Sequence, residues 1–348
     1  MMRFNYIGII FLGLGYPQAQ ATILNTPIYF NIKLTNGYDS NVLRFSSGEQ
    51  ESAAVEPDLM GGMSTFDSHY LRGELLGKSI FNFSRKRNIT FSGRAALIRY
   101  SHSQEKQYTS GKIELKYSWG PYRSFKYSIR DLSDYYLRDY VNKDVTNTQF
   151  IACMFSDRDQ QIALSYPIVR RTWISLAGGY LQRYFNGDFS EFDLDILYQK
   201  GRISWKTPWN LTMSIEGEIG KADNITFGET ARASDLDRSY QYSQFYFPLK
   251  SSTSLWLLDE LGGAFRQEIR QYAAESLDDP LHSGRAHTDR KLDIWMKKNI
   301  SESLSVKLMV RNRERITHSN YSWVQKLKSF RQVQVWVEIG WRSVYDKY

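Results

Sequence analysis

Apolar and polar side chains alternate at successive positions in one segment after another of this 348-residue chain. In the first such segment the even-numbered positions are Ile28, Phe30, Ile32 and Leu34, and the odd-numbered positions are Tyr29, Asn31, Lys33 and Thr35. Period-two alternation predicts a β-strand with one oily face and one polar face. The pattern returns over residues 112–119, 211–219, 306–313 and 332–341.

The bulk hydropathy of the chain fits a barrel better than a bundle of membrane helices. Beyond the N-terminus no stretch approaches 18 uninterrupted apolar residues, which excludes a helical membrane protein. A barrel faces lipid with only every second residue, so a mean hydropathy of −0.49 and 24% charged residues are compatible with it. Aromatic residues make up 15% of the chain, which suits girdles of rings at the two membrane interfaces.

The links between alternating segments also alternate in length. Short links are predicted near residues 85–88, 120–123, 207–209 and 299–302, and long polar links over residues 39–68, 222–237, 273–288 and 317–329. The rhythm predicts an all-β fold, a transmembrane antiparallel up-and-down β-barrel of about 14 strands, with 12 to 16 tolerable. A soluble sandwich or propeller is the alternative, although we find no repeat of roughly 40 to 50 residues.

The N-terminal residues have the layout of a secretory signal peptide. Arg3 is followed by an apolar stretch over residues 6–14 and by the small residues Ala19 and Ala21. We therefore predict a signal peptide over residues 1–21, cleavage before Thr22, and a barrel domain over residues 22–348. The alternative, a short anchor helix, is disfavoured because the apolar stretch is well below the roughly 20 residues that cross a bilayer.

A short motif adds a resemblance to this architecture. Residues 37–42, with the sequence GYDSNV, resemble the top of the first strand in several bacterial outer-membrane β-barrel families, including uncharacterised barrels and the barrel of surface lipoprotein assembly modifiers. Residues 335–341 look like the terminal strand by which such proteins engage the barrel-assembly machinery. The resemblance implies a location in the cell outer membrane.

Residues that could carry catalysis or hold a metal show no matching pattern. The five histidines lie in or beside predicted loops without the spacing of a metal site, and His282 and His287 are only a weak pair. No GxSxG nucleophile elbow is present, although an outer-membrane phospholipase with a Ser/His site is the best enzymatic alternative. We therefore predict no enzyme, no metal and no cofactor.

Charged side chains on the strands are the candidate lumen-lining residues. Charges that faced hydrocarbon would each cost a few kcal/mol, so they are expected to point inward. Rings of Arg and Lys favour anions in a pore. The candidates are Lys307, Arg311, Arg313 and Arg315 on one strand, Arg266 and Arg270 flanking Glu268 on another, and Glu216 with Glu218.

Acidic pairs could also form a patch inside the barrel. Asp193 with Asp195, and Glu216 with Glu218, are each two residues apart on predicted neighbouring strands. Such a patch would attract cations or hold a proton. The alternative is that these carboxylates are paired with the abundant basic side chains.

The leading functional hypothesis is a passive pore or solute channel with a polar lumen biased toward anions. The alternatives are a structural or interaction barrel that does not conduct, and a lipoprotein-export barrel by resemblance. The net charge of +8 has the sign of an anion pore, but contact with anionic lipid or lipopolysaccharide also explains it. Expected partners are outer-membrane lipid and lipopolysaccharide, the barrel-assembly machinery and small solutes or anions, with no nucleic acid. The solute and the oligomeric state are left open.

Overall fold

The alternating segments form fourteen antiparallel strands that close into one barrel, in which β1 pairs with β14. The computed structural model describes residues 26–142, 148–229, 235–255 and 258–346, so the predicted signal peptide lies outside the described residues. The predicted up-and-down barrel is confirmed. The strands are β1 (Ile28–Asp39), β2 (Ser68–Ser84), β3 (Arg87–Tyr100), β4 (Tyr108–Gly120), β5 (Arg123–Val141), β6 (Phe150–Val169), β7 (Thr172–Phe185), β8 (Leu194–Lys206), β9 (Leu211–Asn224), β10 (Tyr240–Leu255), β11 (Leu258–Tyr272), β12 (Ala286–Asn299), β13 (Leu304–His318) and β14 (Phe330–Tyr345).

Helical segments are short and lie in the links between strands. They are α1 (Ser47–Val55), α2 (Ser322–Lys328) and two 3₁₀ helices, Pro57–Met60 and Gly187–Phe192. Within the described residues, no helix is both long enough and apolar enough to span a membrane.

Short and long links alternate around the barrel, as the sequence predicts. One end carries short links such as residues 121–122, 170–171 and 300–303, and the other carries long links such as residues 40–67, 273–285 and 319–329. Two of the short turns need a left-handed residue, with φ of 59° at Tyr122 and 64° at Arg171. We call the two ends of the barrel the short-turn end and the long-loop end.

The outer face of the barrel is apolar and exposed. Ile113 and Ile215, for example, each keep 56% of their surface accessible, although a soluble protein would bury such side chains. The predicted oily face is therefore the outer one, and closure leaves no unpaired sheet edge, as a bilayer requires. Other exposed members of this belt are Ile32, Leu34, Leu71, Leu75, Leu97, Leu115, Ile162, Leu164, Leu176, Leu197, Ile203, Ile219, Leu292, Ile294, Val310, Val333, Val335, Val337 and Ile339.

Exposed aromatic rings border the apolar belt at the short-turn end. Tyr117, Phe125, Tyr166, Trp205 and Trp341 all lie within a few residues of a strand terminus at that end and remain substantially exposed. Amphipathic rings in this position suit the boundary between hydrocarbon and headgroups. The barrel thus has the band and girdle of a membrane-spanning protein.

The link between β1 and β2, residues 40–67, folds across the long-loop end; we call it L1. Its side chains Val42, Leu43 and Phe45 are buried against Tyr136 of β5, and partly buried hydrophobics from β3 and β6 pack against the same cluster. Near its start, the Asn41 side-chain amide donates to the carbonyl of Arg331 at the start of β14. L1 is therefore anchored on both sides of the mouth.

Candidate functional site

The nine predicted lumen-lining residues lie on the inner face of the barrel. On β13 they alternate with outward residues such as Val310, and on β9 Glu216 and Glu218 alternate with the exposed Ile215 and Ile219. The inward residues of β11 that were singled out are Arg266, Glu268 and Arg270. Whether these nine residues act as a functional site stays a prediction.

Three of the four predicted basic residues on β13 form ion pairs with β12. Arg311 holds Asp293 through two nitrogens, at 2.7 and 2.9 Å. Arg313 holds Asp289 with Nη2 at 2.6 Å from Oδ2, and Arg315 donates to the same oxygen at 3.0 Å. Charge-assisted pairs of this kind fix the arginine forks against the wall.

Lys307, the fourth basic residue on β13, has no carboxylate within ion-pair distance in the described part of the chain. Its Nζ lies 5.0 Å from the ring centroid of Trp295. Its cross-strand neighbours are Lys297 on β12 and Glu338 on β14. Its positive charge is therefore only weakly compensated.

The acidic pairs do not form one patch. Glu218 points inward and binds Lys200 at 2.7 Å, and Glu216 binds Arg202 at 2.6 Å. Asp195 instead lies on the outer face, where its carboxylate accepts a hydrogen bond from Tyr180. The contacts therefore favour the alternative, in which Glu216 and Glu218 are paired with basic side chains, over a shared acidic patch.

The inner face of β12 and β13 has an excess of positive charge. Within these two fully described strands it carries six cations, whereas only two carboxylates, Asp289 and Asp293, accompany them. The cations are Lys291, Lys297, Lys307, Arg311, Arg313 and Arg315. This wall presents a positive potential to the lumen even after its ion pairs are formed.

The charged side chains of the inner face differ widely in their exposure. The side chains of Arg94 and Lys250 keep 43% and 47% of their surface accessible, whereas those of Arg313 and Asp289 keep 10% and 6%. Arg313 and Asp289 are therefore far less accessible to solvent than Arg94 and Lys250.

Arg138 of β5 ties L1 to the barrel wall. Its Nη1 lies 2.6 Å from Glu49 Oε1 in α1, and its Nη2 donates to the carbonyl of Leu43 at 2.9 Å. The Ser46 hydroxyl caps α1 by accepting from the Glu49 backbone amide, and the Glu49 carboxylate accepts from the Ser46 backbone amide. These two bonds fix the position of the Glu49 carboxylate.

Further cations surround the mouth outside the strands. Burial lowers the pKa of Lys106, in the link between β3 and β4, and its Nζ lies 4.6 Å from the ring centroid of Tyr135. Burial, together with the nearby positive charge of Arg138, also lowers the pKa of Lys328, at the end of α2, to about 8. Sequence reasoning missed both lysines because polar loop residues are ordinarily solvated.

The weak histidine pair is split between two contacts. His282 Nδ1 lies 2.8 Å from Asp279, and His287 Nδ1 lies 2.9 Å from the Thr317 hydroxyl. Burial lowers the pKa of His282, which sits in the link between β11 and β12. Across the described ranges, no three His, Cys, Asp or Glu side chains are grouped so as to hold a metal.

Comparisons with known proteins return similarity of architecture only. No protein-family model and no curated protein matches the chain. Three solved outer-membrane structures, each covering 91% of this chain, are similar to it: OmpT of Vibrio cholerae (5% identity, 97% of that chain, TM-score 0.46), an anion-selective porin from Comamonas acidovorans (6%, 98%, 0.41) and OpdK of Pseudomonas aeruginosa crystallised with vanillate (10%, 99%, 0.38). At these identities no residue role can be carried over.

Proposed function

We propose that this chain is an outer-membrane channel for small anionic solutes. The supporting observation is the charge of the inner wall on β12 and β13, where six cations face two carboxylates. Fixed cations lining a water-filled passage lower the electrostatic barrier for anions and raise it for cations. The exposed apolar belt around a closed barrel supports a membrane location.

The cations without a carboxylate partner contribute most to this preference. A paired arginine presents little net charge because its carboxylate cancels it at short range, as Asp293 does for Arg311. Among the described residues, Lys307, Arg266 and Lys291 have no carboxylate within ion-pair distance, so their charge extends into the lumen. The predicted basic row therefore contributes unequally, with Lys307 as its most effective member.

The direction of insertion follows from the two kinds of link. We propose that the short-turn end faces the periplasm and the long-loop end faces the exterior, as in other outer-membrane barrels. Residues 1–21 would then direct export and be removed, and the barrel-assembly machinery would insert the remainder. Lipopolysaccharide would surround the long-loop end. The prediction that the chain is not an enzyme belongs to the same proposal.

A non-conducting structural or interaction barrel is the second candidate, and L1 is the observation in its favour. The cluster of Val42, Leu43, Phe45 and Tyr136 fills part of the mouth with buried apolar side chains. If the neighbouring links close the remainder, the barrel would not pass solutes, and its loops would carry the function. The lipoprotein-export hypothesis has no specific contact in its support.

Swelling of proteoliposomes separates these candidates. Liposomes containing the refolded protein are diluted into isosmotic solutions of a small organic anion or of a neutral solute of equal size. We expect swelling above that of empty liposomes, and faster swelling with the anion. No swelling with either solute would contradict the channel and support the structural barrel, and equal rates would contradict the anion preference.

A further inference from the structure

Three cations form a row across three adjacent strands of the inner wall, each directly opposite the next. Arg266 of β11 pairs in register with Lys291 of β12, and Lys291 pairs with Arg313 of β13. Neighbouring strands are about 4.8 Å apart, so three positive charges occupy a row about 10 Å long. Like charges directly opposite each other destabilise a sheet unless a counter-charge lies between them.

The nearest inward carboxylates are already engaged by arginines. Asp289 is shared by Arg313 and Arg315, whereas Glu268 accepts from Arg270 at 2.8 Å. In the part of the chain that the structure describes, Arg266 and Lys291 form no ion pair with any carboxylate. Arg266 instead lies 4.7 Å from the ring centroid of Tyr246. The row therefore retains at least two uncompensated charges.

Arg44 of L1 brings a further cation to this row. It lies within electrostatic range of both Lys291 and Arg313. Its Nη2 is 3.4 Å from the Tyr135 hydroxyl, and its buried Nε has no hydrogen-bond partner among the residues that the structure describes. A guanidinium that is shielded from water and short of an acceptor favours the approach of an anion.

The backbone of L1 is held in a strained conformation at Arg44. Its φ of 57° lies in the left-handed region, which a residue with a Cβ adopts at some cost. Asn41 maintains this turn, because its side chain accepts from the Phe45 amide at 2.8 Å and donates to the Phe45 carbonyl at 2.8 Å. The turn fixes the position of the Arg44 side chain relative to the wall.

We propose that Arg44, Arg266, Lys291 and Arg313 form a binding site for the oxyanion group of a solute, a carboxylate or a phosphate. Guanidinium forks match the oxygens of both groups, and the ammonium of Lys291 adds a point charge between two forks. The site deepens the proposed function and rests on it, because it lies on the wall that an anion would follow and under the loop that narrows the mouth.

A site of this kind makes transport saturable. An oxyanion held between L1 and the wall neutralises the row and occupies the narrow part of the lumen, so it delays smaller anions behind it. Chloride has no oxygens to match the forks and is held less strongly. We therefore expect phosphate or succinate, added to a chloride solution, to reduce the chloride current in a concentration-dependent way.

Equilibrium binding to the refolded full-length protein tests the site directly. Inorganic phosphate and succinate are titrated separately by calorimetry at constant chloride concentration, which distinguishes the two oxyanion classes. We expect binding of at least one, weakened about tenfold or more in the double variant Arg266→Gln, Lys291→Gln. Arg290→Gln is the matched control, because Arg290 is on the same strand but faces outward.

Arg44→Gln is the second variant, because it alters the loop and leaves the strands of the barrel unchanged. Heat-modifiable migration verifies folding of each variant, and Arg44→Gln is expected to weaken binding without changing that migration. Chloride current without oxyanion binding or block would overturn the site and leave the channel standing. Binding without any current would support the site and overturn the channel. If the double variant Arg266→Gln, Lys291→Gln and the control Arg290→Gln weakened oxyanion binding equally, the site would be overturned.

Discussion

Arg138 on β5 and Glu49 in α1 form an ion pair across the barrel mouth, with 2.6 Å between Nη1 and Oε1 and 13% of each side chain accessible. Two charges this far from water need each other, because an unpaired buried charge is strongly destabilising. Arg138 also donates to the Leu43 carbonyl, so one side chain holds both a helix and a loop segment. The pair fixes L1 within the mouth.

Replacement of Arg138 by methionine should release L1. The change leaves Glu49 without its counter-charge, which costs on the order of 3 kcal/mol for a buried pair. We expect faster protease cleavage within L1 and a larger single-channel conductance, both measured on refolded protein. Glu49→Gln is the milder control, since the amide oxygen still accepts from Arg138. Unchanged cleavage and conductance in Arg138→Met would show that the pair does not fix L1.

The two faces of a strand should differ strongly in how well they tolerate a new charge. Ile215→Arg places a cation in the apolar belt and should weaken folding into bilayers by about 2 to 4 kcal/mol, whereas Thr212→Arg places it in the lumen and should be mild. Urea titration of folding into lipid vesicles measures both changes. Similar losses in the two variants would show that the outer face does not contact hydrocarbon.

The alternation of side chains was sufficient to predict the barrel because lipid exposure imposes it on every strand. It predicted the outward Ile215 and Val310 and the inward Glu216 and Arg311. The alternation assigns faces only within the apolar belt, because an outward position beyond the membrane does not need to be apolar. Asp195 is such a position, and for that reason the parity of the sequence alone did not assign its face.

Arg311 and Asp293 should show strong coupling. Arg311→Met leaves Asp293 largely shielded from water and unpaired, so it should destabilise the folded barrel. Asp293→Leu in the same chain removes the stranded charge and should restore part of the loss. A double-mutant cycle on the urea midpoint gives the coupling. Additive effects would mean that the pair is electrostatically unimportant.

Asp193, next to the start of β8, should make stability depend on pH. Burial raises its pKa from the ordinary 3.8 to about 6, helped by the nearby charges of Glu191 and Asp195. The folded state favours the protonated form of Asp193. The contribution of this carboxyl to stability is therefore complete below its ordinary pKa of 3.8 and is lost as the pH rises through about 6. Asp193→Asn should therefore raise the melting temperature at about pH 8 and have a smaller effect near pH 4.

The side-chain amide oxygen introduced by Asp193→Asn can still accept from the Phe185 backbone, which donates to Asp193 at 2.6 Å. The hydrogen bond is thereby retained while the charge is removed. An equal gain in melting temperature at both pH values would show that ionisation of Asp193 is not the cause.

The oxyanion site lay beyond sequence reasoning for a different reason. Its wall residues Arg266 and Arg313 carry the period-two signal, and both were predicted to line the lumen. Lys291 also shares that parity, but its position between two arginines depends on strand register, which no local pattern specifies. Arg44 lies in a loop whose path across the mouth is set by the packing of Val42 and Phe45 against Tyr136.

The reversal potential of the refolded protein in a planar bilayer, held in a KCl gradient, tests the anion channel most directly. The charges of Lys307, Arg266 and Lys291, which no carboxylate compensates in the described residues, predict a reversal potential with the sign of the chloride equilibrium potential. In the double variant Arg266→Gln, Lys307→Gln the reversal potential should move toward zero. A reversal potential with the sign of the potassium equilibrium potential, or the absence of any current through correctly folded protein, would contradict the account.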